Sequence, residues 1–219
     1  MLCFMRFLFL TFLLCGWLLA PPAAGAGDTA PVILVLGDSL SAAHGIDHRL
    51  GWVSLLRARL REAGLPHRVV NASISGETTA GGLTRLGPAL ERHRPAIVIL
   101  ELGANDGLRG LPLAQMRDNL QAMIERSREA GARVLLVGMR LPPNYGPRYT
   151  RAFHDVYSQL ATANGVPLVP FLLEGVSERR AWMQADNLHP NAQGQPALLQ
   201  NVWRRLWPLL EKQAASEVP

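Results

Sequence analysis

Short apolar runs alternate with longer amphipathic segments along most of the chain. The apolar runs are rich in β-branched residues and predict buried strands at Pro31–Leu36, Arg68–Ser73, Ala96–Leu102, Ala132–Met139 and Val166–Pro170. Between and after them, apolar residues recur every three or four positions, which predicts helices. These lie at Trp52–Gly64, Thr78–Arg92, Leu113–Ala130, Tyr149–Asn164 and Asn191–Glu211.

This alternation predicts an α/β fold with a five-stranded parallel sheet. Strands that are apolar throughout are buried on both faces, so helices must cover both sides of the sheet. Right-handed crossovers then produce a three-layer α/β/α sandwich. We found no internal repeat and no low-complexity linker, so we expect residues 27–219 to form a single domain. Sheets of this kind bind ligands beyond the carboxyl ends of their strands.

The first 26 residues have the pattern of a secretory signal peptide. Arg6 precedes an apolar run from Phe7 to Ala20, and small residues follow at Ala24 and Ala26. The run is shorter than the roughly 20 residues that span a membrane, which argues against an uncleaved anchor. We therefore expect cleavage near Ala26, a periplasmic or secreted protein, and no stable membrane insertion after cleavage.

Composition narrows the chemistry of the mature chain. Both cysteines, Cys3 and Cys15, precede the expected cleavage site, so no disulfide or thiolate site is expected. The formal net charge of +5 comes from scattered arginines and one lysine, Lys212, which predicts a solvated surface and no nucleic-acid partner. No histidine pair has metal-ligand spacing and no glycine-rich nucleotide motif occurs, so we expect neither a metal nor another cofactor.

The segments that follow the predicted strands carry the groups that acyl transfer needs. Ser39, Gly76 and Asn105 follow the first three strands, and Asp186 and His189 share the loop before the last helix. A serine hydroxyl needs a base, which His189 supplies if a carboxylate orients its ring. Backbone N–H groups of Ser39 and Gly76, together with the Asn105 amide, can stabilise an oxyanion.

The segments GDSLS, SISGET, GANDG and DNLHP occur in the order of the four motif blocks of the SGNH (GDSL) hydrolases, which the whole mature chain resembles. NASISGET, ELGANDGLRG and RLPPNYG are similar to the periplasmic thioesterase/lysophospholipase/arylesterase subgroup. The resemblance implies that Ser39 is the nucleophile, Asp186 the acid and His189 the base. It implies the family's sandwich fold, of flavodoxin-like type. Glu77 and Leu188 are small departures from the pattern.

Each polar residue also has a structural interpretation. Taken alone, Ser39 is typical of a helix N-cap. A catalytic role is favoured only because Gly76, Asn105, Asp186 and His189 also follow strand ends or precede the last helix. For Asp38 we prefer a loop-tying role. We expect Asp106 to close an Asx turn while Asn105 faces the substrate. His44 lies close to Ser39 in sequence but lacks an obvious carboxylate partner, so we do not expect it to be the base.

An apolar rim around the predicted site favours acyl substrates. Its expected members are Leu40, Leu108, Leu141, Pro142 and Tyr145, and the resemblance adds Gly107, because the GLRG segment lies beside the acyl site in that subgroup. We therefore predict a monomeric serine esterase for carboxylic esters and thioesters of short to medium chains, with lysophospholipid as a further candidate. A carbohydrate O-deacetylase and a non-catalytic lipid- or envelope-binding protein on the same scaffold remain open alternatives.

Overall fold

The computed structural model describes residues 30–216, with side chains to residue 211, and the predicted signal peptide lies outside this range. Five parallel strands form one sheet in the order β2-β1-β3-β4-β5. This confirms the predicted fold class. The strands are β1 (Val32–Gly37), β2 (Arg68–Asn71), β3 (Ile97–Glu101), β4 (Arg133–Val137) and β5 (Leu168–Val169).

Helices cover both faces of the sheet. They are α1 (Trp52–Glu62), α2 (Thr79–His93), α3 (Ala104–Leu108), α4 (Leu113–Glu129), α5 (Pro147–Asn164) and α6 (Gln195–Ser216). One layer is the pair α1 and α6, and α2, α4 and α5 pack side by side in the other. Val53, Leu56 and Leu60 of α1 are buried, as their spacing predicts. Within residues 30–216, no helix is long and apolar enough to cross a membrane.

The strand order places a crevice between β1 and β3. Every residue of these two strands is buried, which explains their continuous apolar sequences. The helices that follow them, α1 and α4, belong to opposite layers. The loops that leave β1 and β3 therefore diverge above the carboxyl ends of these strands, which is where such sheets bind ligands.

Several boundaries differ from the sequence prediction because side chains end the elements early. Strand β2 stops at Asn71, whose Oδ1 accepts from the Ser73 N–H at 3.1 Å and whose Nδ2 donates to Ser41 O at 2.8 Å. Strand β4 stops at Val137 rather than Met139. The last helix begins at Gln195 because Asn191 Oδ1 accepts from the Gln193 N–H at 2.9 Å and closes a turn.

Helix α3 is the one α-helix of the described chain that the sequence did not predict. Its five residues lie in the GANDG segment, which we expected to be a loop. Gly103 precedes it with φ +114°, and a Cβ on this residue would lie 2.4 Å from Tyr157 Oη. Glycine is therefore required at position 103, and the turn it makes starts α3 with Asn105 as its second residue.

The packing predicts that Leu34→Ala destabilises the protein strongly. Leu34 lies in β1 with none of its surface exposed, so truncation removes apolar contacts and leaves a cavity. We expect the free energy of unfolding, measured by urea denaturation, to fall by about 2–5 kcal/mol. The matched control is Leu50→Ala, because Leu50 is 47% exposed. A small effect of Leu34→Ala, comparable with the control, would contradict this account of the core.

Candidate active site

The turn after β1 carries Ser39 to the edge of the sheet. Asp38 O accepts from the Ala42 N–H at 2.9 Å, and Ser39 O accepts from the His44 N–H at 3.1 Å. The turn begins at Gly37, where a Cβ would lie 2.7 Å from Glu101 Oε2 and 2.8 Å from Ser41 Oγ. Only glycine allows this close approach of β1 to β3. The Ser39 side chain is left facing a cavity.

Ser39, His189 and Asp186 form a continuous hydrogen-bonded chain. Ser39 Oγ lies 2.8 Å from His189 Nε2, and His189 Nδ1 lies 2.7 Å from Asp186 Oδ2. This is the geometry of a nucleophile, a general base and an orienting carboxylate. The hydroxyl of Ser39 therefore contacts the base instead of capping a helix.

Asp186 is held in its ionised form by its own loop. Desolvation raises its pKa, but three hydrogen bonds outweigh this effect and hold the pKa at about 2. The donors are the His189 ring and the backbone N–H groups of Leu188 and His189. A carboxylate that stays ionised through the neutral range keeps the Nδ1 proton of His189 in place and stabilises the imidazolium.

Gln184 connects the loop of His189 to the loop of Ser39, a role that the sequence did not reveal. Its Nε2 donates to His44 O at 2.8 Å and to Pro190 O at 3.0 Å, and its N–H donates to His189 O at 2.8 Å. The side chain lies against Gly45, where a Cβ would be 2.2 Å from Gln184 Oε1. A glutamine in a loop has no sequence signal for this role, because its partner His44 lies 140 residues away along the chain.

Backbone groups of Ser39 and Gly76 are available as oxyanion donors. Neither N–H donates to an acceptor within residues 30–211. Gly76 has φ +81°, and the nearest atom to a Cβ there, Arg109 Nη2, would be 3.6 Å away. Backbone conformation, and not lack of space, therefore favours glycine. Arg109 Nη2 also donates to Gly76 O at 2.9 Å and fixes this peptide.

Asn105 brings its amide to the same cavity from α3. Its Nδ2 donates to Asp38 Oδ2 at 3.2 Å and to Glu77 O at 3.0 Å. Asp106, by contrast, points away from the cavity and does not close the Asx turn that we expected. Its carboxylate accepts from the N–H and the hydroxyl of Thr79, at 2.9 and 2.5 Å, and so caps the start of α2.

A cavity of about 590 Å³ surrounds these groups, within the usual size range of ligand sites. Leu40, Leu108, Leu141 and Pro142 line it, in agreement with their expected positions. Apolar residues that the sequence prediction omitted complete the wall: Met139, Phe171, Leu173 and Met183. They were missed because they follow β4 and β5 without any motif.

Two of the expected rim residues do not line this cavity. Gly107 is buried beneath it, where a Cβ would lie 2.6 Å from Phe153 and 2.8 Å from Leu141. Tyr145 supports the wall from behind, because its hydroxyl donates to Leu108 O at 3.0 Å. Neither residue lines the cavity beside Ser39, and their expected contacts with a substrate stay predictions.

His44 contacts the base itself. Its ring centroid lies 4.7 Å from that of His189, with the planes tilted by 49°, and its side chain lines the cavity. Ser39 Oγ is bonded to His189 and not to His44. The histidine closest to Ser39 in sequence is thus a neighbour of the base.

A parallel α/β/α sandwich with a Ser-His-Asp chain at its carboxyl edge defines a serine hydrolase. The sequence matches the GDSL-like Lipase/Acylhydrolase family over residues 35–197, and the chain belongs to that family. It is therefore an ester-cleaving serine hydrolase.

Named relatives agree with this assignment. "Esterase TesA" of Pseudomonas aeruginosa is 55% identical over 181 residues, which cover 83% of this chain and 90% of the relative. "Thioesterase 1/protease 1/lysophospholipase L1" of Escherichia coli is 42% identical over 187 residues, covering 85% and 87%. A structure of the psychrotrophic esterase EstA from Pseudoalteromonas sp., inhibited by monoethylphosphonate, superposes with a TM-score of 0.79. It is 40% identical, over 82% of this chain and 98% of that one.

The triad geometry predicts that Asp186→Asn abolishes most of the activity without unfolding the protein. An amide cannot fix the Nδ1 proton or stabilise the imidazolium, so we expect kcat to fall by about 10³- to 10⁴-fold. Steady-state hydrolysis of a p-nitrophenyl ester measures the effect. The control is Asp118→Asn, because Asp118 is an exposed acid that pairs only with its neighbour Arg117. A loss of less than about tenfold would rule out the orienting role.

Proposed function

We propose that the protein hydrolyses carboxylic esters and thioesters of short to medium acyl chains through an acyl-enzyme on Ser39. The observation that carries the proposal is the unbroken contact from Ser39 Oγ through His189 to Asp186, which opens into an apolar cavity. His189 Nε2 takes the hydroxyl proton as Ser39 attacks the acyl carbonyl. The C–O or C–S bond then breaks, and the leaving alcohol or thiol receives that proton.

Deacylation repeats the same chemistry with water as the nucleophile. His189 removes a proton from water, the hydroxide adds to the acyl carbon, and Ser39 leaves with the proton returned by His189. In both steps the negative charge develops on the carbonyl oxygen. The N–H groups of Ser39 and Gly76, and the amide of Asn105, are the donors that we assign to it.

The lining of the cavity supports an acyl substrate over a sugar. Leu108, Leu141, Phe171 and Leu173 present apolar surface, which favours a hydrocarbon chain by burial. A carbohydrate deacetylase would need a largely polar cleft, whereas most of the exposed surface of this cavity is apolar, although Arg140, Glu178 and Asn187 also line it. The relatives named esterase and thioesterase/lysophospholipase support ester, thioester and lysophospholipid substrates.

We also propose that the protein acts as an exported monomer. The support is the signal-peptide pattern of residues 1–26, which makes export to the periplasm or the medium the expected route. Residues 27–219 then act as one domain. Exported location also makes acyl-CoA an incidental substrate, since few such thioesters are found outside the cytoplasm.

The nucleophile is tested with a fluorophosphonate probe. We expect the wild type to be labelled and Ser39→Ala to be unlabelled, with kcat reduced by about 10⁴-fold or more, because no other described serine contacts His189. Ser177→Ala is the matched control: Ser177 is an exposed serine that lines the same cavity but is not bonded to the base. Labelling of Ser39→Ala at the wild-type rate would overturn the assignment, and no labelling of either would favour a binding protein.

Chain-length preference is tested with Leu141→Ala. Leu141 lines the cavity and is 8% exposed, so truncation of its side chain enlarges the cavity on this side. We expect kcat/KM to rise for longer chains relative to butyrate by about five- to tenfold, the value of one or two buried methylene groups. The measurement is a series of p-nitrophenyl esters from C2 to C12, with lysophospholipid and acyl-CoA alongside. Pro143→Ala, at an exposed part of the rim, is the control. Unchanged relative rates would exclude Leu141 as a determinant.

A further inference from the structure

Asn105 has no amide hydrogen to spare. An amide NH₂ group has two hydrogens, and Nδ2 of Asn105 already donates to Asp38 Oδ2 and to Glu77 O. The backbone donors of Ser39 and Gly76, in contrast, have no acceptor among the described residues. If Asn105 stabilises the oxyanion, as the proposed function requires, one of its two bonds must be shared with the substrate. The bond to Asp38 is the longer, at 3.2 Å against 3.0 Å.

Asp38 is placed to control that amide. Its carboxyl is almost completely buried, with 1% of the residue exposed, yet no described ion pair includes it. Its only partners are hydrogen-bond donors: Oδ1 accepts from the Leu40 N–H at 3.0 Å and Oδ2 accepts from Asn105. Burying a carboxylate without a cationic partner lowers the stability of the folded state. Its presence here therefore points to a role in the site.

We propose that Asp38 is a positioning residue for the oxyanion hole. Its carboxylate holds the Asn105 amide in plane, and one amide hydrogen of Asn105 is shared between this carboxylate and the reacting carbonyl oxygen. Asp38 does not take or give a proton and need not touch the substrate. It acts through Asn105. Without Asp38, only the bond to Glu77 O would limit rotation of the Asn105 amide about χ2. Because Asp38 is anionic, its bond to Asn105 is stronger than a neutral one.

A second buried acid, Glu101, lies next to Asp38 and differs from it in function. Glu101 Oε2 accepts from Ser41 Oγ at 2.6 Å and from the Asp38 N–H at 3.3 Å, and Oε1 has no partner among the described residues. Burial, and the charge of Asp38, raise the pKa of Glu101 well above its usual value and so favour its protonated form. Glu101 makes no contact with Asn105, so it is a matched control for loss of a buried acid.

The charge of Asp38 also lowers stability at neutral pH. Burial raises its pKa to about 6, although the Leu40 N–H, the charge of His189 and the Asn105 amide oppose this rise and Asp106 adds to it. Tyr157, a further titratable group beside this acid pair, stays neutral because burial raises its pKa. Since the native pKa is raised, the folded state loses stability as pH rises from the unfolded value near 4 through about 6.

The experiment compares Asp38→Asn with Glu101→Gln in the full chain. Asp38→Asn keeps the shape of the side chain but replaces one of its two acceptor oxygens with an NH₂ group. It can therefore no longer accept from both the Leu40 N–H and the Asn105 amide. We expect kcat for a p-nitrophenyl ester to fall on the order of 10- to 100-fold with KM within about twofold. We also expect its urea midpoint, relative to wild type, to rise between pH 4 and pH 8. Glu101→Gln keeps an oxygen that can accept from Ser41, so we expect a smaller fall in kcat than Asp38→Asn gives. That fall should be the same when Asn105 is replaced by Ala, because Glu101 makes no contact with Asn105.

A double-mutant cycle separates positioning through Asn105 from other effects. Asn105→Ala alone should lower kcat by about 10²- to 10³-fold, and Asp38→Asn should add little in that background. Full additivity, or wild-type kcat in Asp38→Asn, would overturn the proposal. Wild-type kcat in Asn105→Ala would instead refute the oxyanion assignment of the proposed function. If Asp38→Asn does not fold, Asp38→Ser, which keeps a short acceptor for Leu40, takes its place in the same cycle.

Discussion

The hydrogen bond between Ser39 and His189 joins residues 150 positions apart, and everything chemical about this protein depends on it. A parallel sheet makes such a contact possible, because the carboxyl ends of all its strands lie at one edge. The loop of Ser39 leaves the inner strand β1, and the loop of His189 precedes α6. Gln184 then ties the two loops directly to each other. The sheet thus brings Ser39 and His189 to the same edge, and the Gln184 amide holds their loops together.

Below this contact the molecule buries three acids without cationic partners in the described ion pairs: Asp38, Glu101 and Asp106. Each receives hydrogen bonds that fix a neighbouring loop. Asp106 holds the start of α2, Glu101 holds the turn of Ser39 through Ser41, and Asp38 holds Asn105. Apolar residues at these positions would cost less to bury, but they could not orient donors. Burying these acids lowers the stability of the fold, whereas the hydrogen bonds they accept fix the geometry of the site.

Chemistry and recognition are divided between different loops. The segments after β1, β2 and β3 and the loop before α6 carry the residues to which we assign the reaction and the oxyanion. The segments after β4 and β5 supply apolar side chains such as Met139, Leu141, Phe171 and Leu173 to the cavity wall. The acyl wall can therefore change without disturbing the triad. Gly107 and Tyr145 belong to neither set: Gly107 is packed against Phe153 and Leu141, and the Tyr145 hydroxyl donates to Leu108 O.

The sequence alone determined the strand–helix alternation, the parallel sheet and the identity of the polar residues at the strand ends. Those features depend on local periodicity and on motifs, which a linear chain displays directly. Element boundaries, helix α3 and the roles of Gln184, Glu101 and Asp106 were decided only by the tertiary structure. The bonds that define the roles of these three side chains reach residues 27 to 140 positions away, so no local pattern encodes them. The same is true of Asn105, whose type the chain displayed, while the occupation of both its hydrogens became visible only when Asp38 and Glu77 were folded against it.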